Sequence, residues 1–128
     1  MIMSDKPVND KQIFGAFLKS KRHGKEIAVR TMADKLNMAV GYYCDIESGR
    51  RPPNDIDFLD AVIKVLMLGD KDKETLYDLA GKARQAAPPD LTEYIKDSKA
   101  ARIALRVAKE KASDEDWFRF MNELERKE

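Results

Sequence analysis

Residues 27 to 51, IAVRTMADKLNMAVGYYCDIESGRR, decide how the chain folds. Met32, Ala33 and Leu36 stand at helical spacing, and Tyr43 and Ile46 fall on one face of a second helical stretch. Four residues, Leu36-Asn37-Met38-Ala39, join them, which leaves room only for a tight bend. Asn37 stands where the chain turns, and Asn tolerates the left-handed conformation better than any residue except Gly. Ala33 is small where the two helices approach, and Met38 is placed to plug the angle between them. These residue types at these offsets are what a helix-turn-helix requires. The second helix reads as Gly41 to Ser48, stopped by Gly49. Arg50 and Arg51 then turn outward, and Pro52-Pro53 directs the chain onward.

The same helical spacing continues on both sides. Phe14, Phe17 and Leu18 form a stripe ending near His23-Gly24. Leu59, Val62, Ile63 and Leu66 form another, entered through Asn54 as N-cap with Asp57 in the first turn. Asp72 starts a further helix with Leu76 and Leu79-Ala80 inward and Gly81 near its end. Pro88-Pro89 breaks it. Beyond the break, Asp90-Leu-Thr-Glu93 has capping-box spacing. Ser98 begins a helix carrying Ile103, Leu105 and Val107, and Ser113-Asp-Glu-Asp caps a last one. Period-2 alternation and Asn-Gly or Asp-Gly turns are missing. The expectation is an all-α chain of five helices and a three-helix tail. Its divisions are a flexible N-terminus over 1–10, a helix-turn-helix domain over 11–87 and a helical extension over 88–128.

A chain of 128 residues can bury a core without disulfides or metal. No apolar run is long enough for a membrane span, and the N-terminus lacks the pattern of a signal peptide. One cysteine, Cys44, makes no internal disulfide, which fits a reducing cytoplasm. The net charge is only +1, but it is unevenly spread: +5 over residues 11–53, −4 over 54–80, +4 over 81–112 and −3 over 113–128. A basic N-terminal third followed by an acidic segment can present one positive face.

The stretch Ile27 to Arg51 resembles the helix-turn-helix of the lambda-repressor-like, or Xre, family. The alignment needs no gap. Ala33 stands at the close approach, Asn37 replaces the usual Gly, and Tyr43 takes the inward aliphatic position. The ending Ile46-Glu47-Ser48-Gly49-Arg50-Arg51 is the most specific part. The similarity extends over about residues 11 to 81, and the tail resembles the C-terminal segment of some antitoxins of that family. The resemblance implies a five-helix DNA-binding domain whose third helix enters the major groove. Val40, Gly41, Cys44 and Asp45 would face base edges. Arg30, Tyr42, Ser48, Arg50 and Arg51, with lysines of the first helix, would hold the backbone. Arg22 would pair with Glu47 to fasten the first helix to the third, without touching DNA.

The starts of both helices depart from the family pattern. Ala39, Val40 and Gly41 stand where a capping Ser or Thr and polar residues are usual, and Ala28 is an equally poor cap. A lost cap costs roughly 1 kcal/mol, and Gly in a helix about another 1 kcal/mol relative to Ala. The reading helix is therefore expected to be frayed or shortened. It also lacks the Arg, Gln and Asn that make bidentate base contacts. Val40 offers contact with a thymine methyl, and Asp45 an acceptor for a cytosine amino group.

Catalytic equipment is not visible. His23 is the lone histidine, Cys44 reads as a small residue where the family often has Ser, and Asp70, Asp72 and Glu74 lack the Gly and final Glu of a calcium loop. No cofactor or metal is expected, and no enzymatic activity. Two functions remain. One is a cytoplasmic, sequence-specific transcriptional regulator, a repressor binding operator DNA as a homodimer. The other is an antitoxin or interaction module whose tail clamps a protein such as a toxin. Trp117, Phe118, Phe120, Met121 and Leu124 crowd into eight residues of that tail. Five such residues are expected not to point all to one side, so that some meet a core, a second subunit or another protein.

Overall fold

Asn9 opens the first helix. Its side chain accepts from the Gln12 amide at 2.9 Å, while its own amide donates to the Gln12 side chain at 3.0 Å. The computed structural model describes residues 8–127. Of the flexible start expected over 1–10, residues 1–7 lie outside that range. Asn9 and Asp10 instead belong to the capped beginning of α1 (Asp10–Gly24).

Among the described residues seven helices follow: α2 (Val29–Lys35), α3 (Val40–Ser48), α4 (Ile56–Leu66), α5 (Asp70–Ala83), α6 (Pro89–Asp97), α7 (Lys99–Lys111) and α8 (Asp114–Glu125). No strand occurs among the described residues, so the chain is all-α. The starts of α4, α5 and α6 differ from those expected, each for a local reason. The N-cap of α4 is Asp55, whose carboxylate accepts from the Phe58 amide at 3.3 Å; Asn54 is occupied by Tyr42. Helix α5 begins at Asp70, which puts Asp70 and Asp72 together in the first turn, where the helix dipole favours acid. Helix α6 begins at Pro89, whose missing N–H costs nothing at a first position, so Asp90 lies inside the helix and does not cap it.

The chain divides into two compact units, Met1–Thr92 and Glu93–Glu128. In the first, α1 packs against α3 and α5, α2 against α3, and α4 against α5. Phe14 and Leu18 meet Met32, Tyr43, Ile46 and Leu59 in one buried cluster, which Leu66 and Leu76 extend. Each such side chain contributes about 1.5–3 kcal/mol on leaving water. Arg84 closes the back of the unit, its Nε donating to the buried Pro53 carbonyl at 2.8 Å.

Two glycines allow the helices to close. A Cβ on Gly15 would stand 2.2 Å from the Glu47 carbonyl oxygen, so the backbones of α1 and α3 touch there. Gly49 has φ +82°, and a Cβ on it would lie 2.7 Å from Gln12 Cα. Only glycine satisfies both conditions at position 49.

The second unit has no buried residue among those described. Ser98 caps α7 by accepting from the Ala101 amide at 3.0 Å, and Arg102 reaches the Ile95 carbonyl at 2.9 Å. Ser113 and Asp116 form a capping box at the start of α8. The five apolar residues of α8 do share one side. At about 100° per residue they fall within an arc of roughly 160°. All five are exposed, Phe118 the most at 61%.

Candidate nucleic-acid interface

The joint between α2 and α3 is set by backbone geometry. Leu36 ends α2, Asn37 follows at φ +57°, and the Met38 amide returns to the Ala33 carbonyl at 3.0 Å. Ala33 is fully buried at that point and Met38 packs in part against the core. Neither Ala28 nor Ala39 caps its helix with a side chain. Despite this, α3 is formed from Val40, one residue earlier than the sequence suggests. Tertiary burial of Tyr43 and Ile46 outweighs the weak cap.

The far end of α3 is closed by backbone amides that return to carbonyls of its last turn. Gly49 donates to Ile46 at 3.2 Å and Arg50 to Asp45 at 2.9 Å. That closure fixes the direction in which Arg50 and Arg51 leave the helix.

Beneath α3 lies a buried ionic network. Arg22 Nε and Nη2 donate to the two oxygens of Glu47 at 2.6 and 3.0 Å, and Nη1 donates to the Ile27 carbonyl at 2.8 Å. Tyr43 adds a third donor to Glu47 through its hydroxyl, at 2.5 Å. Both charged side chains are more than nine-tenths covered. Burial alone would raise the Glu47 carboxyl, but the bonds from Arg22 and Tyr43 outweigh it and hold the group below its ordinary value. The same carboxylate raises Arg22 against burial, and burial joined by the bond to Glu47 raises Tyr43. The charges thus stay on, and no buried side-chain polar atom among the described residues lacks a partner.

The residues considered for base contact lie unevenly. Gly41 is exposed, with nothing within 4 Å of where its Cβ would stand. Cys44 and Asp45 are half-covered. Val40 is also half-covered and packs in part against the core, so only part of its side chain is open to a ligand. A shallow depression beside α3 is lined by Lys19, Cys44, Glu47 and Ser48. Lys19 is exposed there, and its place beside Cys44 comes from the packing of α1 on α3, which no local sequence pattern indicates.

The residues considered for the backbone form a linked set. Arg50 donates to Asp45 at 2.9 Å, and Arg51 approaches the other Asp45 oxygen at 3.9 Å. Arg51 also lies over the Tyr42 ring, 4.1 Å from its centroid. The Tyr42 hydroxyl donates to Asn54 at 2.8 Å, so its proton is engaged within the chain. The Ser48 hydroxyl donates to the Asp45 carbonyl at 3.2 Å. Arg30, on α2, is exposed. Asp45 therefore joins the face considered for bases to both arginines.

Among the described residues, no group of three or more His, Cys, Asp or Glu is arranged to hold a metal ion. None of the described helices is long and apolar enough to cross a membrane. Compared with protein-family models, with curated proteins and with solved structures, the chain matches none of them.

Proposed function

We propose that the chain is a sequence-specific DNA-binding transcriptional regulator of the lambda-repressor-like kind, a repressor that places α3 in the major groove and acts as a dimer. The observation that carries this reading is the mounting of α3. A short helix is locked from below by Arg22, Tyr43 and Glu47, and its open side ends in two outward arginines. A groove-reading helix needs that combination of rigid support and cationic flanks.

On this reading Arg50 exchanges Asp45 for a phosphate when DNA arrives. The exchange is inexpensive, since Arg50 is 74% exposed and such surface pairs are worth ~0–1 kcal/mol. Asp45 is then free to accept from a cytosine amino group. Lys19, Arg30 and Arg51 supply further phosphate contacts. With no Arg, Gln or Asn on the reading face, direct readout is sparse, and groove shape and deformability supply much of the specificity. Two half-sites about 34 Å apart suit a two-fold dimer.

Selection from random duplexes at two salt concentrations tests this, with Arg50→Ala/Arg51→Ala beside the wild type. A palindromic motif that the double variant loses supports the reading. Recovery of no motif overturns it.

The exposed aromatic face of α8 favours a second reading, in which the extension clamps a protein such as a toxin. Removal of residues 88–128 separates the two. A dimerisation device weakens operator binding when removed, whereas a partner clamp leaves DNA binding intact.

A further inference from the structure

Helices α7 and α8 are amphipathic, open and opposite in charge. Helix α7 carries five Lys or Arg against one acid, a net +4, while α8 carries five acids against one Arg, a net −4. The apolar residues of α7 are Ile103, Leu105 and Val107, exposed by 51%, 37% and 57%. Ile103 and Val107 share one side, Leu105 lies about 160–200° round the helix from them, and the alanines that fill the arc between allow a partner helix to approach closely. The apolar residues of α8 are bulky: Trp117 and Phe120 meet edge to face at 6.2 Å, with Phe118, Met121 and Leu124 beside them. The two helices are thus complementary in size and in charge.

Within one copy the two faces do not cover each other. Helices α7 and α8 do not pack along their lengths, and their large apolar side chains remain open. The unit they belong to has no buried residue among those described, so these helices hold no core of their own. The eight large apolar residues are each exposed by between 37% and 61%, and one side of a stable interface contributes about 800 Å².

We infer that this face is covered by a second copy of the chain, α7 of each protomer lying on α8 of the other. A two-fold pairing satisfies both faces of both copies with the same contact made twice. An unrelated partner would have to carry a basic alanine-rich helix and an acidic aromatic one together, and this chain already holds that pair in equal measure. The inference deepens the dimer of the proposed regulator, but its test involves no DNA. A failed operator selection therefore leaves it standing, and its own failure leaves DNA reading by a monomer intact.

The test is light scattering on the full-length chain over a range of concentrations, with two charge-reversed variants. Lys99→Glu/Arg106→Glu reverses part of the basic flank of α7, and Lys99 is a first-turn position where Glu suits the helix dipole. Glu123→Lys/Glu125→Lys reverses part of the acidic flank of α8 near its C-terminus, where Lys suits the dipole. The wild type is expected at twice 14.6 kDa. Each variant alone is expected to dissociate at least tenfold more readily, with its helical circular dichroism retained. Mixing the two variants restores the dimer, because reversed α7 then meets reversed α8. Phe118→Ala provides a check that leaves charge unchanged, with a weakening of about tenfold. A monomeric wild type, a dimer indifferent to both reversals, or a mixture that does not recover would overturn the inference.

Discussion

Arg22 Nε lies 2.6 Å from Glu47 across the contact between α1 and α3, and Tyr43 closes the same carboxylate from the helix it belongs to. The pair does more than hold two helices together. Glu47 is the penultimate residue of α3, at the height where a Cβ on Gly15 would strike its carbonyl. Backbone contact and ion pair therefore fix the same point, and α3 has little freedom to tilt. A buried pair is not in itself a large source of stability, but removing one partner strands the other.

Arg22→Met leaves the Glu47 carboxylate with Tyr43 alone. The expected loss is ~3–5 kcal/mol, read as a lower urea midpoint with the slope nearly unchanged. A loss below ~1 kcal/mol would mean that the network behaves like a surface pair and does not anchor α3.

The same network makes stability depend on acid. Glu47 is held below its ordinary 4.5 in the folded chain, so the unfolded chain binds its proton first as the pH falls. The contribution is complete above about 4.5 and is lost as the pH drops through the lower folded value. In Glu47→Gln the stability is lower at neutral pH and falls less steeply below about pH 4.5. Asp116, also lowered through its bonds to Ser113, titrates in both proteins. The difference between the two urea-midpoint profiles isolates Glu47.

Two glycines on the same pair of helices respond in opposite directions to alanine. Gly41→Ala adds a side chain into open space on α3 and is expected to raise stability by about 0.5–1 kcal/mol. Gly15→Ala drives a methyl group into the α3 backbone and is expected to cost about 1–3 kcal/mol or more. Thermal melts of the two variants check both signs. If Gly41→Ala also abolishes DNA binding, groove access at that position matters more than helix strength.

The all-helical character was legible because Phe14–Leu18, Leu59–Leu66 and Trp117–Leu124 keep helical spacing, and Asn37, Gly49 and Pro88-Pro89 punctuate the chain. The cap at Asp55 was missed because Asn54 is an equally good cap by type. Only tertiary placement, which turns Asn54 toward Tyr42, separates them. Gly15 gave no sign, since a glycine within a helix carries no record of what approaches it. The ring of Tyr42 under Arg51 joins residues nine apart through a turn whose direction depends on Gly49 at φ +82°. For α8, five large residues in eight looked too many for one side, yet a helix of that period holds them in one broad face.

On the proposed reading, Arg50 and Arg51 are expected to differ in their effect on DNA binding, because their settings differ. Arg50 is mostly exposed and tied only to Asp45, whereas Arg51 also rests on the Tyr42 ring. Arg50→Ala is expected to leave stability within about 0.5 kcal/mol of wild type. It should weaken binding evenly across sequences and make the salt slope shallower by about 1. If about five phosphates are neutralised per monomer, the wild-type slope stands near −4 to −5. Arg51→Ala reduces the slope by a similar step but also loses ~0.5–1 kcal/mol of stability with the cation–π contact. Tyr42→Phe keeps that contact and loses only the bond to Asn54. It should therefore match wild type in salt slope, as read by fluorescence anisotropy from 50 to 200 mM salt. Equal slopes for wild type and Arg50→Ala would remove Arg50 from the phosphate contacts and leave its bond to Asp45 as its role.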